Sequence, residues 1–195
     1  MKKYTFLNTL FIVYGGIVMI QFVNNFLKKS NKIGFFFVLI LGTLLHFSFT
    51  WLREAPVAGL FSAVNESTWE HMKLLFFPSF LYFLLEYKKY GSSSKDLLTA
   101  RTLGLFCGLA FIPVSFYTYT GVIGKGFFPV DIAIFAVSVF LTFYASTRFL
   151  AHPLKLTTFT AFLLLFALLA AFLTFTFFPP HIQLFLDPVD FTYGI

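Results

Sequence analysis

Apolar stretches of about twenty residues, separated by short polar loops, constrain this chain more than any other feature. A helix of that length crosses the ~30 Å hydrocarbon core of a bilayer, because each residue adds ~1.5 Å. Lipid offers no partner to backbone N–H and C=O groups, so each segment has to pair its own as a helix. The pattern predicts an all-α polytopic membrane protein, a six-helix transmembrane bundle with spans at 5–23, 34–51, 65–87, 101–119, 129–147 and 156–178. All of 1–195 then forms a single integral membrane domain. Composition agrees: 58% of the residues are hydrophobic and 11% charged, whereas a soluble domain has about a quarter charged. The mean hydropathy is +0.85.

The net charge of +6 is not a nucleic-acid footprint, because the basic residues sit in the short loops. Lys28, Lys29, Lys32, Lys88, Lys89, Lys95, Arg101, Arg148 and Lys155 fall on one side of the predicted bundle. Lys2, Lys3, Arg53, Lys73 and Lys125 fall on the other. The positive-inside bias places the richer side in the cytoplasm, and so predicts a cytoplasmic-membrane protein with both termini outside. Lys2-Lys3 resembles a signal-peptide start, but no small-residue cleavage site follows and the first helix is expected to stay.

The acids sort the other way. Glu54, Glu66, Glu70, Asp131, Asp187 and Asp190 fall at or beyond the outer helix ends, with His46, His71 and His181. Glu86 and Asp96 fall inside beside lysines, as ordinary exposed pairs. Cys107, alone in an apolar block, is expected to be a buried inert thiol. Asp131 is expected to cap the fifth helix, and Gly15, Gly16, Gly42, Gly104 and Gly108 to mark close helix contacts.

Between helices two and three, EAPVAGLFSA (54–63) is too short to cross and predicts a re-entrant or interfacial segment. The following VNESTWEHMK places two glutamates, a histidine and a lysine within eight residues. Asn65 suits a helix N-cap and Glu66 a first turn. At about 100° per residue Glu66, Glu70 and Lys73 share one stripe, Ser67 and His71 the next, and Trp69 points away as an interfacial anchor. Glu66 and His71, five apart, are badly spaced for two ligands on one helical face.

Two further segments supply polar groups at the same end. His46 lies within helix two, where a histidine in a membrane span tends to be functional. The tail PPHIQLFLDPVDFTYGI cannot continue a helix past Pro179-Pro180 and is expected to fold back on the outer face, bringing His181, Asp187, Asp190 and Tyr193. His46, His71 and His181 are the expected ligands of a divalent metal such as zinc, with Glu66, Glu70, Ser67 or Asp187 as the catalytic groups. Asn65, Lys73, Asp190 and Tyr193 complete the polar shell.

The block VNESTWEHMKLLFFP, with HFSFTW before it and PPHIQLFLDPVDFTYG at the end, resembles the pattern of a family of small bacterial polytopic membrane proteins classed as a domain of unknown function. The resemblance covers nearly the whole chain. A looser similarity is to the progestin and adiponectin receptor, hemolysin III and alkaline ceramidase superfamily, which holds zinc near one membrane face with a Ser-x-x-x-His pair and further histidines. Ser67 and His71 match that pair, but the chain has six predicted spans rather than seven and no His-x-x-x-His in its last helix.

These readings converge on a metal-dependent hydrolase acting on a lipid or small amphiphile, with the bilayer as partner and no nucleic acid. A small transporter or channel with an acidic outer vestibule is the second expectation. A non-enzymatic assembly or regulatory protein is the third.

Overall fold

The computed structural model describes residues 29–91, 94 and 96–195. The predicted span 5–23, with Gly15 and Gly16, lies outside the described residues. The chain divides into two compact units, 1–33 and 34–195. In the first, the described residues 29–33 are helical. The site described below lies within the second.

Among the described residues the fold is all-α. The long helices are α1 (described part Lys29–Trp51), α3 (Thr68–Tyr90), α4 (Leu97–Ile123), α5 (Phe128–Ala151) and α6 (Thr158–Phe177). A single helical turn, α2 (Pro56–Gly59), and a 3₁₀ turn, η1 (Gln183–Phe185), complete the set. Four of the long helices, α1, α4, α5 and α6, are long and apolar enough to cross a membrane. α1 ends at Trp51 as predicted, and the other long helices begin and end one to four residues from the predicted bounds. The segment 54–63 winds through α2 and flanking turns, after Arg53 and Glu54 reverse the chain with φ of 56° and 59°.

The central helix is α3. Residues Lys73 to Ser79 are buried without a break, and seven consecutive positions make nearly two turns, so every face of α3 there meets protein. That explains how α3 carries Glu70 and Lys73 within an apolar bundle: both face protein partners. By contrast, only 17% of the most apolar stretch of α6 is buried, and 61% of that of α4. The outer surface is correspondingly apolar, with Val122, Phe159 and Phe178 more than three-quarters exposed, as lipid contact requires.

Small residues let α4 and α5 approach closely. A Cβ on Gly108 would stand 2.7 Å from the Ser138 carbonyl and collide with Thr142 Oγ1. One on Gly104 would meet the Thr142 carbonyl and Ser146. Gly42 of α1 plays the same part against α3, where a Cβ would lie 2.5 Å from the Leu74 carbonyl. The expectation of close contacts at Gly42, Gly104 and Gly108 therefore holds. The hydroxyls of Ser138, Thr142 and Ser146 bond to carbonyls of their own helix at 2.6–2.9 Å, so this interface buries no unpaired hydroxyl of theirs.

Two expectations fail here. Cys107 is exposed on the bundle surface; α4 is apolar on all sides, so no polar stripe in its sequence marks the outward face. Glu86 is no exposed surface pair. It is buried, and its two oxygens accept from Arg101 Nε at 2.7 Å and Nη2 at 2.8 Å. The Arg101 guanidinium also lies over the Phe143 and Phe83 rings, at 5.1 and 5.7 Å.

Candidate functional site

The start of α3 sets the site. Its N-cap is Ser67, whose Oγ accepts from Glu70 N at 3.3 Å, and not Asn65 as the sequence suggests. Asn65 serves the lead-in instead: its Oδ1 accepts from Ser67 N at 3.0 Å and its Nδ2 donates to the Gly194 carbonyl at 3.0 Å. Glu66 therefore precedes the helix, and the 100° arithmetic does not apply to it. The freed backbone lets its carboxylate swing over the first turn.

There it meets His71, with Oε2 at 3.4 Å from Nε2. The His71 ring is oriented by its own helix, because Nδ1 lies 2.9 Å from the Ser67 carbonyl. A carbonyl only accepts, so that contact puts a proton on Nδ1 and turns Nε2 toward Glu66. The His46 ring comes from α1 to within 5.3 Å, centroid to centroid. His46 Nδ1 is buried and has no hydrogen-bond partner. One ligand atom from each of His46, Glu66 and His71 lies within 4.8 Å of the others.

These three residues open on a cavity of about 510 Å³ between the ends of α1, α3, α4 and α5 and the tail. Thr43, Thr68 and Asp131 are its other polar walls; Phe47, Leu74, Ile112, Phe116, Phe128, Ile132, Ile134, Phe135 and Val189 are apolar ones. No lysine or arginine lines it among the described residues. Asp131 sits in the first turn of α5, but its partner is across the loop: Tyr119 Oη donates to its Oδ1, and Phe127 N donates to that same Oη at 3.0 Å.

The remaining polar residues named from the sequence do structural work. Glu70 and Lys73 form a buried ion pair, Nζ to Oε2 at 2.5 Å. Lys73 Nζ also donates to the Gly59 carbonyl at 2.8 Å and lies 2.9 Å from Thr176 Oγ1. Glu70 Oε2 accepts from Val64 N at 3.0 Å. This knot joins the lead-in, α2, α3 and α6. Trp69 is no outward anchor; it is buried against Phe172, Phe175 and Phe185, with centroids 4.5, 5.7 and 4.9 Å away.

The tail does fold back onto α3, held by η1 and by Asp187. The buried Asp187 carboxylate accepts from Glu66 N at 3.0 Å, Val189 N at 2.7 Å and Asp190 N at 3.2 Å. Asp190 is itself exposed. His181 stands outside the His46–Glu66–His71 group: it is exposed and its ring stacks on Tyr193 at 4.5 Å. Of the three histidines expected together, the structure brings His46 and His71 together with Glu66 and leaves His181 apart. Sequence reasoning passed over Asp131 as a wall of the cavity; its place next to a Pro-started helix reads equally well as a cap.

The family of unknown function DUF6512 matches residues 19–195, and the chain belongs to it. No curated protein and no solved structure matches the chain.

Proposed function

We propose that this chain is a membrane-embedded, metal-dependent hydrolase whose metal is held by His46, Glu66 and His71 and whose substrate is a lipid or small amphiphile. The observation that carries the reading is the 3.4 Å between His71 Nε2 and Glu66 Oε2. This is long for a hydrogen bond. It equals the separation of two ligands each about 2.0–2.1 Å from one tetrahedral zinc ion. The carbonyl-oriented ring of His71 fits the same role, since a ligating histidine is normally fixed through its other nitrogen, and the buried Nδ1 of His46 has no hydrogen-bond partner to give up. Three protein ligands leave a position open toward the cavity, the arrangement of catalytic rather than structural zinc.

A divalent ion bound there would polarise a substrate carbonyl or lower the pKa of a water toward ~7. The chain's own residues do the rest. His71 and His46 present ring nitrogens from two helices, and Glu66 supplies a carboxylate. The apolar walls take a hydrocarbon chain and shield the scissile bond from bulk water. Asp187, whose oxygens are occupied by three backbone N–H groups, acts by fixing Glu66 and not as a base.

We place the site at the extracytoplasmic face of the cytoplasmic membrane, on the distribution of basic residues. A transporter would need polar groups continuing down the bundle; Ser138, Thr142 and Ser146 do line up along α5, but packed against glycines. The test is hydrolysis of a neutral acyl ester of octanol by protein reconstituted in lipid nanodiscs. Activity should vanish on chelation, return with zinc, and be absent in His71→Ala. Hydrolysis that survives both chelation and the substitution would overturn the reading.

A further inference from the structure

We infer that Asp131 forms an ammonium-binding subsite, so that the amphiphile this cavity takes carries a cationic amine. The inference rests on the cavity proposed above as the substrate site, but not on the presence of a metal. Asp131 reaches the cavity from α5, across from the α1 and α3 walls that carry His46, Glu66 and His71. Its Oδ1 is fixed by Tyr119 Oη, while Oδ2 has no hydrogen-bond partner and no cationic side chain pairs with either oxygen among the described residues. A carboxylate beside apolar walls gains from an opposite charge, and beyond the α5 N-terminus no charged side chain among the described residues supplies one.

The neighbouring walls suit an ammonium as well. Phe116, Phe128 and Phe135 line the same cavity, and aromatic faces attract a cation within about 6 Å. Among the described residues no lysine or arginine lines the walls to pair with an anionic headgroup such as a phosphate or sulfate. Tyr119, anchored by Phe127 N, prevents the Asp131 carboxylate from turning away. The amine would thus be held at the α5 wall while the hydrocarbon chain lies along Ile112, Ile132 and Ile134.

The test uses full-length protein in zwitterionic-lipid nanodiscs, treated with chelator, with empty nanodiscs as the partition control. Dodecylamine, dodecanol and dodecanoate are titrated in turn. Wild type should bind dodecylamine about tenfold or more tighter than dodecanol, the scale of one charge-assisted hydrogen bond, and dodecanoate weakest. Asp131→Asn should erase the amine preference, and Glu54→Gln, which removes an exposed carboxylate outside the cavity, should retain it. Equal binding of amine and alcohol by wild type would overturn the proposal, whether or not either variant folds. So would a preference that survives in Asp131→Asn. Because the titration is metal-free, loss of the metal reading leaves these outcomes unchanged.

Discussion

His71 Nε2 and Glu66 Oε2 lie 3.4 Å apart although the residues are five positions apart in sequence. On a continuous helix such a pair would be turned well away from each other. They meet because Ser67 caps α3 and Glu66 belongs to the extended lead-in, pinned by Asp187 through its backbone N–H. The tail therefore shapes the site without contributing a ligand.

Asp187→Ala should act at a distance of one residue. Losing three N–H partners frees the Glu66 lead-in, and metal affinity should fall about 10–100-fold, as for other groups that orient a ligand. Competitive zinc titration against a chromophoric chelator measures it. Unchanged affinity in a variant of native melting temperature would refute the positioning role.

Glu70 and Lys73 should behave as structure. Lys73→Met leaves Glu70 buried without its partner, and breaking such a pair costs about 3–5 kcal/mol. The thermal midpoint in detergent should drop sharply. Glu70→Gln/Lys73→Met should recover much of the loss and still bind metal. Metal lost from a folded double variant would instead make Glu70 a ligand.

The pair at the other end of α3 gives a matching prediction. Glu86 lies 16 residues beyond Glu70, about 24 Å along the axis, and holds Arg101 through two hydrogen bonds. Glu86→Ala should destabilise by about 3–5 kcal/mol, because it strands a buried guanidinium. Denaturant titration of the reconstituted protein reads this. A melting curve overlying the wild type would show the pair to be dispensable.

The sequence revealed what depends on local pattern and hid what depends on remote partners. The four long apolar helices α1, α4, α5 and α6, the gathering of Glu66, Asp131 and Asp187 at one end of the bundle, and the close contacts at Gly42, Gly104 and Gly108 follow from hydropathy and residue size. Glu86 was misread because its neighbours Lys88 and Lys89 suggest an exposed pair, whereas its partner is on the next helix. The cap had a usable signal: Ser67-x-x-Glu70 fits a capping box better than Asn65 does. Here only half the box forms, since Glu70 turns to Val64 and Lys73. Trp69 is covered because Phe172 and Phe185 pack on its ring, whereas His181, stacked on Tyr193, stays exposed, and neither partner is legible in the local sequence.

The metal content of the purified protein bears most directly on the central claim. Protein extracted in mild detergent under zinc-replete conditions and analysed by inductively coupled plasma mass spectrometry should carry about one divalent ion per chain. His46→Ala and His71→Ala should carry almost none, while His181→Ala should match wild type. A folded wild-type protein without stoichiometric metal, or equal content in the His71→Ala variant, would contradict the account.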